Sequence, residues 1–102
     1  MADPRYKKLA EVITGYSTAL KKGDTVLFDV TDTPEAFAVE LVRAARRRGA
    51  TPLVETRSGR VVREMLMGTS ETHAKTIRDI ELRRMKKCDA YVAIRGSHNA
   101  TE

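Results

Sequence analysis

At 102 residues, 41% of them hydrophobic and 32% charged, the chain has material for one modest core and the composition of a folded domain rather than a disordered one. Trp is absent and aromatics make up only 5%, so Val, Leu, Ile, Ala and Met must build that core. Lys and Arg number 19 against 14 Asp and Glu, a net charge of +5 that raises the prospect of polyanion binding.

The first element is a helix. Asp3 caps it and Pro4 takes the first helical position, where its missing N–H costs nothing. Leu9, Val12, Ile13, Tyr16 and Leu20 recur at steps of three and four, predicting one buried face. Lys21-Lys22-Gly23 closes the helix, and Gly15 inside it weakens it by about 1 kcal/mol relative to Ala. Thr25–Val30 follows as a strand. Its consecutive Val26, Leu27 and Phe28 predict cover on both faces. Thr33-Pro34-Glu35 then starts a second helix, with Asp32 and Thr33 read as its caps. Phe37, Ala38, Leu41, Val42 and Ala45 form its stripe, and Arg46-Arg47-Arg48-Gly49 its end.

Pro52–Thr56 is a second strand, near an edge because Pro is tolerated there. Val61, Val62, Met65 and Leu66 fit a two-turn helix. Ser70 and Glu71 start another, carrying Ala74, Ile77, Ile80 and Met85 and ending at Lys86-Lys87. Ala90–Ile94 is the third strand, and Arg95-Gly96-Ser97-His98-Asn99 reads as a turn. Strands alternating with helices at these distances predict an α/β fold. The expected form is a three-layer, Rossmann-like or flavodoxin-like parallel sheet with helices on both faces. The chain halts just past a buried-looking strand, so residues 1–102 are expected to be a single α/β domain truncated from the N-terminal part of a longer protein.

No apolar run approaches the roughly 20 residues of a membrane span, and no signal-like apolar segment follows Ala2-Asp3-Pro4-Arg5. Cys88 is alone, so no internal disulfide forms, in keeping with a cytoplasmic location.

Candidate chemistry is sparse. Thr31-Asp32-Thr33 lies where open sheets bind ligands, but lacks the glycines that let a pyrophosphate approach, and Asp32 would repel one. Arg46-Arg47-Arg48 with Arg83, Arg84, Lys86 and Lys87 could contact phosphates, although cations also favour helix C-termini for reasons of the dipole alone. His73 and His98 belong to no metal-ligand pattern. Cys88 reads as a small buried thiol, and Met65, Met67 and Met85 as core filler. The residues alone therefore assign no catalytic, cofactor-binding or metal-binding position.

Three lead-ins to strands carry a resemblance. They are Lys22-Gly23-Asp24-Thr25-Val26, the run Ala44-Ala45-Arg46-Arg47-Arg48-Gly49-Ala50-Thr51-Pro52, and Cys88-Asp89-Ala90-Tyr91-Val92-Ala93-Ile94-Arg95. In this order and spacing the chain resembles the opening of the M29 metallopeptidase family, the thermophilic aminopeptidase T type. The resemblance implies a cytoplasmic, dimeric parent enzyme that removes N-terminal residues from peptides with two divalent metal ions, Zn or Co. The family's metal ligands and catalytic residues lie in a C-terminal domain, so this stretch would be inert by itself and would partner that domain. A small basic module for RNA or DNA is the alternative. A regulatory domain holding a small ligand at Thr31–Thr33 is a third.

Overall fold

A computed structural model describes residues 3–96. Helix α1 (Pro4–Val12) continues into a π-helical turn (Ile13–Ser17). Strand β1 (Thr25–Thr31), helix α2 (Glu35–Arg47), strand β2 (Thr51–Arg57), helices α3 (Gly59–Met67) and α4 (Glu71–Lys86), and strand β3 (Ala90–Arg95) follow. The three strands form one parallel sheet in the order β2-β1-β3. The fold is thus an open α/β sheet of Rossmann-like or flavodoxin-like type, flanked by helices. His98, expected in a turn, lies outside the described residues.

Register divides the strand residues between two faces. On the near face Val26, Phe28 and Val30 stand beside Ala90, Val92 and Ile94 of β3. Against them pack Phe37, Ala38, Leu41, Ala44 and Ala45 of α2 and Ala10 of α1, making the buried core. The Tyr6 ring leans on Phe37 with centroids 5.5 Å apart. The far face carries Leu27, Asp29 and Thr31, then Leu53, Glu55 and Arg57, then Tyr91, Ala93 and Arg95. Leu27 is buried there, as the unbroken Val26-Leu27-Phe28 run predicts, and α4 crosses this face through Glu81 and Arg84.

The amino edge of the sheet is stitched by the lead-in residues themselves. Gly23 and Gly49 both adopt positive φ, 91° and 78°, and the Gly23 N–H donates to the Gly49 carbonyl at 3.0 Å. Thr51 N–H donates to Asp24 O at 2.7 Å. Asp89 grips Thr25 twice, its N–H donating to Thr25 O and its carboxylate accepting from Thr25 N–H, each at 2.8 Å.

Several expectations are corrected. The α-helical ladder of the first helix ends at Val12 rather than near Lys21. The Thr14 hydroxyl bonds back to Ala10 O at 3.0 Å and Gly15 follows, two residues that loosen the ladder where it widens to π geometry. The Arg48 guanidinium lies where a Cβ on Gly15 would project. The buried face is Tyr6, Ala10, Ile13 and Thr14, since small side chains let α1 lie close to α2, while Leu9, Val12 and Tyr16 face solvent.

Neither Thr33 nor Asp32 caps α2. The Thr33 hydroxyl donates to Thr31 O, and Asp32, at φ 53°, swings its carboxylate across to the Gly59 N–H of α3 at 3.1 Å. Met65, Met67 and Met85 are exposed rather than core filler, and so are Val61, Leu66 and Ile80. The half-buried stripe of α4 is instead Ala74, Ile77, Glu81 and Arg84, because the far face it meets is charged. Cys88 is half-buried, its thiol donating to Arg84 O.

Candidate functional site

From β1 the chain passes to β2 on one side, then crosses back to β3 on the other. Such reversals open a crevice at the carboxyl ends of the strands. Here it is a wide cleft of about 1610 Å³ between α3 and the far face of β1 and β3. One wall is apolar, with Val62, Met65 and Leu66; the floor is charged.

Asp29 organises that floor. Its Oδ1 accepts from Arg57 Nε at 2.7 Å and its Oδ2 from the Tyr91 hydroxyl at 2.5 Å. Arg57 reaches onward to Glu81 of α4 at 3.2 Å, and nearby Arg84 of α4 donates to Glu55 at 2.9 Å. A carboxylate in a covered central strand demands such partners, because burying it alone costs several kcal/mol. Burial, reinforced by the bond to Asp29, pushes the Tyr91 phenol up to about 12, so it stays a neutral donor. The bond to Asp29 holds the Arg57 guanidinium above its usual range. Both carboxylate oxygens of Asp29 are engaged by donors, one by Arg57 and the other by Tyr91. The network ties the sheet to α4.

At the mouth of the cleft the loop after β1 is filled from within. The Asp32 carboxylate occupies the start of α3, and Gly96 passes so close that a Cβ there would overlap the Asp32 carbonyl. A phosphate approaching this turn meets a carboxylate rather than a ring of free N–H groups.

The basic candidates lie at the opposite, amino edge. Arg47 is bound to Glu11 at 2.6 Å, and Arg84 to Glu55 as described. Arg46, next to Arg47 on α2, remains exposed. A hollow of about 370 Å³ on α4 is lined by Asp79, Ile80, Arg83, Arg84 and Lys87. The structure does not bring these cations to the cleft.

His73 sits exposed in the first turn of α4, its N–H donating to the Ser70 hydroxyl. Among the described residues no three His, Cys, Asp or Glu side chains gather to hold a metal ion. The two ions that the resemblance implies therefore find no donor set in residues 3–96. No helix of the described residues is long and apolar enough to cross a membrane.

Sequence reasoning missed Asp29, Glu55, Arg57, Glu81 and Tyr91. The usable signal was Asp29 itself, a charge between Phe28 and Val30 in a strand otherwise apolar. The fold defines an open, parallel α/β sheet with a far face held by ion pairs. No known protein family matches the chain, and no curated protein emerges as a relative.

Proposed function

We propose that this chain is a non-catalytic α/β domain of a metal-dependent aminopeptidase of the M29 type. In this reading the metal ions, Zn or Co, and the reacting groups belong to a C-terminal catalytic domain, and the present domain steadies the assembly and covers the peptide-binding cavity. The observation that carries the proposal is where the resembling segments fall. Gly23-Asp24-Thr25, Gly49-Ala50-Thr51 and Cys88-Asp89-Ala90 form the stitched amino edge of the sheet, so the segments that carry the resemblance are the ones that fix strand register in this chain, which supports the reading. The apolar wall of α3 beside the cleft, with Met65, Leu66 and Met67, supplies a surface for the catalytic domain to cover.

The test is release of N-terminal amino acids from peptides by the longer protein that contains this domain. Chelator-sensitive turnover is expected there, and none from the 102-residue chain with Zn or Co added. An inert longer protein, or turnover by the short chain, overturns the reading. The alternative, a basic module for RNA or DNA, draws on the net charge of +5 and on Arg46. Pairing of Arg47 and Arg84 with acids weakens it.

A further inference from the structure

In a parallel sheet built from helical crossovers the helices run against the strands. The helical segments before β1, β2 and β3 therefore all deliver the chain to one edge. That amino edge collects cations. Lys21 and Lys22 lead into β1, Arg48 into β2, and Lys86 and Lys87 into β3. All five are exposed, and among the described residues none joins an ion pair. The lead-ins stand side by side at strand spacing, about 5 Å from one to the next. The two acids of this edge turn to the backbone instead. The Asp24 carboxylate accepts from Lys21 N–H at 2.9 Å, and that of Asp89 from Thr25 N–H at 2.8 Å.

The helix dipole accounts for Lys86 and Lys87, which close α4. It does not account for the other three. Lys21 and Lys22 follow the π-helical turn after its end at Ser17, outside the last turn where the dipole acts. The Arg48 guanidinium leaves α2 and lies over Gly15, where any Cβ would overlap it. The Lys22 stem lies against Gly49 in the same way, and the bond from Gly23 N–H to Gly49 O ties the two loops together. Two residues without side chains thus seat two cations from separate elements. Tyr16, the residue after Gly15, is 87% exposed and serves no core. A flat ring left in water beside a seated guanidinium is what a stacked base requires.

We propose that this amino edge is a binding surface for single-stranded nucleic acid. Lys21, Lys22 and Arg48 meet phosphates, Lys86 and Lys87 carry the strand across toward β3, and Tyr16 stacks a base. The inference deepens the nucleic-acid alternative and rests on it, but moves it from Arg46 and the paired Arg47 and Arg84 to other residues. It is independent of the peptidase reading. The surface offers charge and one ring, so RNA and DNA strands bind alike, and a duplex, whose bases are already stacked, binds more weakly.

Fluorescence anisotropy of labelled oligouridine and oligodeoxythymidine across a salt series tests this on the 102-residue chain. Both strands are expected to bind, with affinity falling steeply as salt rises. Lys22→Ala and Arg48→Ala are each expected to reduce the slope of log affinity against log salt by about 0.7. Tyr16→Ala is expected to weaken binding roughly tenfold with the slope unchanged. Gly15→Ala unseats the guanidinium and is expected to weaken binding with no charge removed. Lys7→Ala combined with Lys8→Ala, near the start of α1 at the opposite end, is the charge-removing control and is expected to leave affinity within about twofold. If neither strand binds, this surface and the nucleic-acid alternative fall together. If Arg46→Ala abolishes binding while Tyr16, Lys22 and Arg48 are freely replaced, the alternative survives and this surface is overturned. A control that weakens binding as much as Arg48→Ala, or phosphatidylserine vesicles that bind in place of the strands, also overturns it.

Discussion

The near and far faces of the sheet are made from alternate residues of the same strands, yet they are held by different forces. Beneath the helices α1 and α2, Val26, Phe28 and Val30 are almost wholly buried among apolar side chains. Across the sheet, one residue along, Asp29 and its partners Arg57, Tyr91 and Glu81 hold α4 by directed bonds, and α3 stands off beside an open cleft. The first face supplies stability. The second supplies orientation and leaves the apolar side chains Met65, Leu66 and Met67 of α3 exposed.

The sharpest way to break this contrast is Phe28→Ala. Phe28 is 0% exposed and belongs to the core cluster to which α1 and α2 both contribute, so its loss is expected to cost about 3–5 kcal/mol, a large part of a small domain's stability. Denaturant unfolding measures it, and a cost below 1 kcal/mol would mean that the near face is not the principal core. Asp29→Ala comes next, at roughly 2 kcal/mol, because it strands the partly exposed Arg57 and Tyr91 rather than emptying a cavity.

The same network carries a pH signature. The Tyr91 phenol is raised from its ordinary 10.0 to about 12, so the folded chain keeps this proton after the unfolded chain has lost it. Its contribution is complete below pH 10 and is lost as pH rises to about 12. Tyr91→Phe is expected to flatten that part of the alkaline melting profile, and Asp29→Ala to lower the phenolate absorbance midpoint of Tyr91. The smallest effect belongs to α3. Met67→Ser, at a side chain 75% exposed, is expected to change stability by less than about 0.5 kcal/mol. A large loss there would show that the far face carries a core of its own.

What the sequence disclosed follows the same division. The consecutive Val26-Leu27-Phe28 announced a covered central strand, and the Asp3-Pro4 start and the Arg47-Arg48-Gly49 end of helices were legible from local chemistry. The stripes on α3 and α4 misled because periodicity marks where apolar side chains lie, not whether a surface awaits them. Val61 and Leu66 have the spacing of buried residues and meet open space. The Asp29 network was hidden for another reason. Its members come from β1, β2, α4 and β3, and no local pattern links Asp29 to a tyrosine 62 residues on. Asp32 deceived by its place in front of a helix, since its left-handed backbone aims the carboxylate at a different one.

The clasp of Asp89 on Thr25 joins positions 64 residues apart, far more distant than the Asp24–Thr51 bond on the other side of the same strand. During vectorial synthesis, β1, α2 and β2 can therefore assemble as soon as Arg57 has emerged. The opposite flank of β1 stays bare until the third strand arrives, and only then is the order of the sheet locked.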